Sequence, residues 1–288
     1  MEDIIIKTAA KIFQTDHDNI KIDYRLLGGM SNYTYVIEYQ GQKYTIRILG
    51  EGAEKFVNRE AELYNLNLVK QLGIINETVY FDVESGVKIS KYIKGHYINS
   101  DNVLTYYEDV AKLLRYVHQS ELIAYDDFNP LRRIETYQKY SNNYDLEYEE
   151  IKQFWKDIYL SKYQNIPYVF THGDCQRSNF VIGDDKLYLL DWEFSGNNDP
   201  LYDVSVFGQN DFNDAINLLP IYLERVPTAE EYYRIRFYRL QQVLMWYHVA
   251  LYKDDIGLSA KLKLDFKQIA NNYLKEAKYH YNILKEGV

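Results

Sequence analysis

In the segment His172-Gly173-Asp174-Cys175-Gln176-Arg177-Ser178-Asn179, a carboxylate and an amide stand five residues apart in a polar stretch between strand-like runs. A second carboxylate, Asp191, closes the run Leu187-Tyr188-Leu189-Leu190. Moving a phosphoryl group requires a carboxylate to orient the attacking hydroxyl, oxygen ligands for Mg²⁺, and positive charge on the nucleotide phosphates. In a loop this tight, Asp174 can receive the hydroxyl while Asn179 turns back to the ion, and Asp191 can bridge metal and phosphates. A single loop Asp or Asn is more simply a turn cap. The combination of His172, Asp174 and Asn179 with Asp191 is what points to catalysis.

The elements that must hold these residues fall into two textures. Residues 4–13 read as a short helix, and 20–27, 33–39 and 43–49 alternate with β-branched and aromatic residues as three antiparallel strands. Gly28-Gly29 marks the first turn and Gln40-Gly41-Gln42 the second, short enough for a hairpin. Helical spacing runs from Glu54 to Leu72 and stops at Gly73, and strands follow at 78–82 and 87–92 around Glu84-Ser85-Gly86. Beyond Lys94-Gly95 the chain becomes mainly helical, over 102–119, 146–164, 229–252 and 259–284, apart from short strand-like runs between Tyr168 and Trp192. The expected fold is α+β and bilobal: a first lobe over 1–92 and a larger, mainly helical lobe over 93–288.

Bulk properties set the class. With 47% hydrophobic and 26% charged residues the chain is globular. A formal charge of -9 argues against a nucleic-acid surface and suits a cationic substrate. The N-terminal residues mix Glu2, Asp3, Lys7 and Lys11 among isoleucines, unlike a signal peptide, and no run reaches membrane-spanning length. A single cysteine, Cys175, leaves no internal disulfide, which suits a cytoplasmic location, and a small side chain in a tight loop accounts for it. The 31 tyrosines are read as mostly structural, and the oligomeric state stays open.

Over nearly its whole length the chain resembles the choline and ethanolamine kinase family, relatives of the aminoglycoside phosphotransferases within the protein-kinase-like fold. The resemblance rests on His-Gly-Asp followed by four residues and Asn at 172–179, and on Asp191-Trp192-Glu193. It implies ATP and Mg²⁺, with Asp174 as catalytic base, Asn179 and Asp191 on the metal, His172 in support, and Asp203 bracing the loop from below. In the first lobe, Leu27-Gly28-Gly29-Met30-Ser31-Asn32 resembles the nucleotide loop, with Gly29, Ser31 and Asn32 facing phosphate. Arg47 lies on the third strand, where protein kinases and most aminoglycoside kinases carry Lys, and its fixed charge suits ATP. Glu60 falls on the stripe of Val57, Ala61, Tyr64 and Leu68, an odd place for a carboxylate unless it faces a cation, so Glu60 is the expected partner of Arg47. Glu62 is the alternative. Lys91, Tyr92 and Ile93 are expected to offer backbone groups to adenine.

A trimethylammonium group donates no hydrogen bond, so its site needs aromatic faces and a nearby carboxylate. By the resemblance Glu193, Phe194, Trp246 and Phe266 join Asp174 at the substrate, which implies choline as substrate and phosphocholine as product. Val249 stands where the family has a second Trp, and Asn210 where it has a pocket glutamate. The alternatives are ethanolamine, an aminoglycoside, thiamine or a sugar as acceptor, or a nucleotide-binding regulator that has lost turnover.

Overall fold

The computed structural model describes residues 1–26, 32–141, 143 and 145–287. Along the chain the elements run α1 (Glu2–Phe13), β1 (Lys21–Leu26), β2 (Asn32–Tyr39), β3 (Gln42–Leu49), α2 (Arg59–Val69), β4 (Thr78–Phe81), β5 (Lys88–Lys91) and β6 (Gly95–Tyr97). They continue as α3 (Tyr107–His118), α4 (Pro130–Tyr140), α5 (Leu146–Ile158), β7 (Val169–Thr171), β8 (Phe180–Gly183), β9 (Leu187–Leu189) and β10 (Gly196–Asn198). Last come α6 (Pro200–Phe207), α7 (Phe212–Leu223), α8 (Ala229–Asp255), α9 (Leu258–Leu262) and α10 (Phe266–Glu286). The chain forms two compact units, Met1–Ile98 with Ser178–Phe194, and Asn99–Arg177 with Ser195–Val288. A single boundary near residue 93 therefore omits the excursion 178–194, which returns to the first unit because β8 pairs with β6 and β9.

In the first unit an antiparallel sheet of order β1-β2-β3-β5-β4 carries the expected strands. The β2–β3 hairpin closes over Gln40 and Gly41, both at positive φ (51° and 74°), the pairing of conformations that matches the strand twist in a two-residue turn. Gly95, at the start of β6, must lack a side chain, because a Cβ there would fall on the carbonyl oxygen of Ile182 in β8. The helix expected over 54–72 is shorter. A 3-10 turn at Ala53–Lys55 precedes it, and α2 begins only after Asn58, whose side chain accepts from the amides of Glu60 and Ala61 at 3.1 and 3.2 Å. Its buried residues are Arg59, Glu62, Asn65, Leu66 and Val69, so the inward face is not the apolar stripe but one carrying two charges.

The second unit is built on α8, which Thr228 and Glu231 open with a capping box and which is buried along most of its length. Trp155 of α5 has no accessible surface and lies stacked between Tyr159 and Phe237, at centroid distances of 5.4 and 5.6 Å. The single helix expected over 259–284 is two, because Lys263 adopts φ 55° and Asp265 caps a new start on Gln268 N. Among the described residues no helix is long and apolar enough to cross a membrane.

On the α5–α8 interface, His248 packs edge-on against Tyr148, with Nδ1 2.5 Å from the Ser141 hydroxyl. Burial, with Lys152 second, lowers its pKa to about 4, so the folded state holds a neutral imidazole. The unfolded chain takes up this proton near pH ~6.5. Stability from this group is therefore complete above ~6.5 and declines as pH falls toward about 4. Urea unfolding of the wild type should give a free energy about 1 kcal/mol lower at pH 5.5 than at 7.5. His248→Gln should flatten that slope, and an unchanged slope would refute the assignment.

Candidate active site

Candidate residues occur in both units. In the first, Arg47 lies on β3, opposite Thr34 of β2 and Lys88 of β5. Its guanidinium is buried and meets Glu62 of α2 by two contacts, Nη1 to Oε1 at 2.6 Å and Nη2 to Oε2 at 2.9 Å. Glu60 is exposed. The pairing expected for Glu60 thus belongs to Glu62, and the physical reason is the face of α2: Glu60 and Tyr64 are exposed with Ala61 and Leu68 only half-buried, while charge pairing makes the stripe of Arg59, Glu62 and Asn65 the buried one. Glu62 also receives Arg59 Nη1 at 2.6 Å and Lys88 Nζ at 3.2 Å. Burial alone would raise the Glu62 pKa, but Lys88, Arg47 and Arg59 together hold it well below the carboxylate range. Burial likewise disfavours the Arg47 cation, and Glu62, Glu193 and Asp191 more than restore it, so its pKa is raised.

Asp191 and Asn179 come together in the same unit. The register Phe180↔Leu189 sets β8 against β9, and Leu190 N bonds to Asn179 O at 2.8 Å, so residue 179 is held beside the residue preceding Asp191. Asp191 has φ 68°, a left-handed conformation costly for a residue with a Cβ, and its carboxylate is 40% exposed, 3.8 Å from Arg47. One carboxylate and one amide oxygen suit a hard cation that keeps water and phosphate oxygens as its other ligands. Among the described residues no cluster of three His, Cys, Asp or Glu offers a fully protein-bound alternative.

Glu193 was expected at the substrate. Its carboxylate is instead buried and committed to Arg59 at 2.8 Å, Asn32 at 3.0 and 3.2 Å, and Arg47 at 3.5 Å. Burial and the neighbouring Asp191 raise its pKa against the pull of both arginines. Asn32 thus reaches Glu193, while Gly29 and Ser31 lie outside the described residues. In Lys91-Tyr92-Ile93, the Lys91 N–H and C=O are bonded to Glu77 and Asn76, and the Tyr92 N–H to Lys43, so these three groups are not free for adenine.

In the second unit, Asp203 of α6 lies under the loop and accepts from the amides of His172 at 2.8 Å and Gly173 at 2.9 Å. His118 of α3 stands 3.1 Å from the same carboxylate. Burial would raise the Asp203 pKa, but His118 and the loop amides lower it. An ionised Asp203 only accepts, so His118 Nε2 donates to it, and Nδ1 lies 2.9 Å from Tyr222 Oη. Asp174 N donates to His172 Nδ1 at 3.1 Å, Gly173 turns the chain at φ 79°, and the Asp174 carboxylate receives Gln176 Nε2 at 3.0 Å. Cys175 is fully buried, and burial with Asp203 pushes its thiol pKa well up, as fits a packing side chain.

The expected aromatics divide. Phe194 is buried in the first unit, and Trp246 of α8 keeps partial exposure in the second. Phe266 has no accessible surface and faces Lys253 Nζ 5.8 Å from its ring centroid, so it packs the interior instead of touching a ligand. Sequence reasoning missed Arg59, Lys88, His118 and Gln176. For Arg59 the available signal was its i,i+3 spacing from Glu62.

Residues 24–238 match the phosphotransferase enzyme family. Protein LicA of Haemophilus influenzae is 28% identical over 213 residues, a match covering 69% of this chain and 62% of that protein, less than two thirds of the relative's length. The structure is similar to that of choline kinase LicA from Streptococcus pneumoniae, with TM-score 0.81, 25% identity, and 98% and 99% of the two chains covered. It is equally similar to LicA in complex with AMP, with TM-score 0.81, 25% identity and coverage of 96% and 97%. The fold is thus kinase-like, with an antiparallel sheet in its N-terminal part and helices in its C-terminal part.

Removing one partner of a buried ion cluster strands the others. Glu62→Ala should lower unfolding stability by about 3–5 kcal/mol, while the exposed Glu60→Ala should stay within about 0.5 kcal/mol. Chemical denaturation monitored by circular dichroism checks this, and equal losses would refute the pairing.

Proposed function

The chain belongs to the phosphotransferase enzyme family, and we propose that it transfers the terminal phosphoryl group of ATP to the hydroxyl of a small amino alcohol, choline first. The observation that carries this reading is the Arg47–Glu62 pair with Asp191 3.8 Å from the same guanidinium, a fixed cation beside a partly exposed carboxylate. The likeness to proteins described as LicA, one of them a choline kinase and one bound to AMP, supports both the nucleotide and the acceptor.

In this reading Asp174 accepts a hydrogen bond from the acceptor hydroxyl and takes its proton as the oxygen bonds to the terminal phosphorus. The bond from that phosphorus to the bridging oxygen breaks, and ADP carries away the electron pair. Gln176 keeps the Asp174 carboxylate oriented, and Asp203 fixes the backbone on which it is mounted. Asn179 and Asp191 would hold Mg²⁺, which when bound would neutralise charge on the transferring phosphoryl group. Arg47 supplies a permanent cation for the phosphates, with Glu62 setting its direction. Trp246 offers the aromatic face for a quaternary amine. A second acceptor, ethanolamine, is favoured by Val249 at the position of the family's second Trp, since a smaller amine needs less of an aromatic cage.

Incubated with ATP and Mg²⁺, the protein should release ADP with choline, more slowly with ethanolamine, and not with thiamine or kanamycin. No release above background with any of them would overturn the kinase reading, and release with kanamycin alone would overturn the amino alcohol.

Asp174→Ala should lower turnover by roughly 10²–10⁴ while leaving equilibrium binding of MgATP intact. Loss of MgATP binding in that variant would mean that Asp174 acts on the nucleotide or metal and not on the acceptor.

A further inference from the structure

Arg59, the first residue of α2, is only 7% exposed, although an arginine at a helix start is ordinarily solvated. A single nitrogen, Nη1, lies 2.6 Å from Glu62 Oε2 and 2.8 Å from Glu193 Oε2. Its Nη2 reaches Asn32 Oδ1 at 3.5 Å, and the Asn32 amide in turn donates to Glu193. The guanidinium thus ties β2, α2 and the turn after Asp191 to one point. We infer that Arg59 is a positioning residue for phosphoryl transfer, holding Asp191 in its metal-binding pose and completing the charge balance around Arg47. This rests on the reading proposed above.

Two arguments carry it. The first is geometric. Asp191 sits at φ 68°, a conformation that persists only where surrounding contacts impose it. Before it, Leu190 N is bonded to Asn179 O, and directly after it the buried Trp192 donates from Nε1 back to Leu189 O at 2.8 Å. The next anchor along the chain is Glu193, and its shortest contact to a cation is to Arg59. Releasing that contact leaves Glu193 to Asn32 and to the longer contact with Arg47, and so loosens the downstream side of Asp191. The second is electrostatic. Glu62, Glu193 and Asp191 are balanced by Arg47, Lys88 and Arg59. Without Arg59 the cluster carries an excess negative charge where nucleotide phosphates must be received. Lysine restores the charge but not the fork, because an ammonium is a point donor and does not reproduce the planar geometry of the guanidinium.

The two contributions separate experimentally in the full-length protein. MgATP and metal-free ATP binding are measured by calorimetry for the wild type, Arg59→Gln and Arg59→Lys, together with the Mg²⁺ dependence of turnover and unfolding temperatures. Arg59→Gln should weaken MgATP binding by about 10–100-fold. Arg59→Lys should recover metal-free ATP binding to near the wild-type value while still requiring more Mg²⁺ for half-maximal turnover, a split that a purely structural ion pair does not produce. If Arg59→Gln does not fold, Arg59→Lys decides alone. A folded variant whose MgATP affinity and Mg²⁺ requirement both stay within about twofold of wild type overturns the assignment. Wild-type protein that binds no MgATP overturns instead the phosphotransfer reading on which it rests.

Discussion

A carboxylate with no exposed side-chain surface, that of Glu62, is surrounded by Arg47, Arg59 and Lys88 in the interior of the first unit. Taking an ion out of water costs several kcal/mol, so such a cluster is stable only when its members satisfy one another. That condition constrains the surrounding chain. Arg47 must point inward from β3, which fixes the β2–β3–β5 register, and α2 must begin at Asn58 with residues 59 and 62 facing the sheet. The turn Asp191–Phe194 must deliver Glu193 to the same place. Replacing the cluster with apolar side chains would give a comparable or better core, so stability alone does not explain it. On the proposed reading, a cation held ready for an anionic ligand does.

The second unit solves the same problem around Asp203. One buried carboxylate accepts from two consecutive loop amides and from His118, so that charge is compensated by hydrogen bonds instead of by a neighbouring arginine. The arrangement makes the backbone at His172 and Gly173 rigid, and Gly173 supplies the left-handed turn that a side chain would oppose. Asp174 is then positioned by the chain itself, with Gln176 as the local contact to its carboxylate. On the proposed reading, in which Asp174 is the base, a carboxylate mounted this way spends little freedom when the acceptor arrives.

The strands were legible because alternation survives in β2 and β3, where Tyr33, Tyr35 and Ile37 are buried together. The signature residues at 172–179 and 191–193 were legible because their spacing is local. Other features were hidden for identifiable reasons. In α6, Leu201 through Phe207 are buried without interruption, so the helix shows no stripe. Phe266 reads as a pocket aromatic from its motif, yet burial removes it from any ligand. Glu60 was preferred to Glu62 because an apolar stripe was assumed to face inward, and a salt-bridged face breaks that assumption. Pairings that span the unit, such as Arg59 with Glu193, are 134 residues apart and leave no local periodicity to read.

The acceptor side depends on how the missing family residues are replaced. Val249 has no accessible surface, so the smaller side chain at the position of the second indole is part of the interior. Asn210 is exposed and uncharged, and the carboxylate of Glu276, in the same unit, is already gripped by Arg239 at 2.6 and 3.0 Å. On the proposed reading, recognition of a quaternary amine then falls to the partly exposed Trp246 and to the Asp174 carboxyl group, since a cation lacking N–H groups is held by π faces and by acidic oxygens. A primary amine has a further option, because it donates hydrogen bonds to uncharged oxygens such as that of Gln176 or Gln209. Discrimination between the two acceptors therefore depends on how much of the Trp246 ring the site leaves accessible.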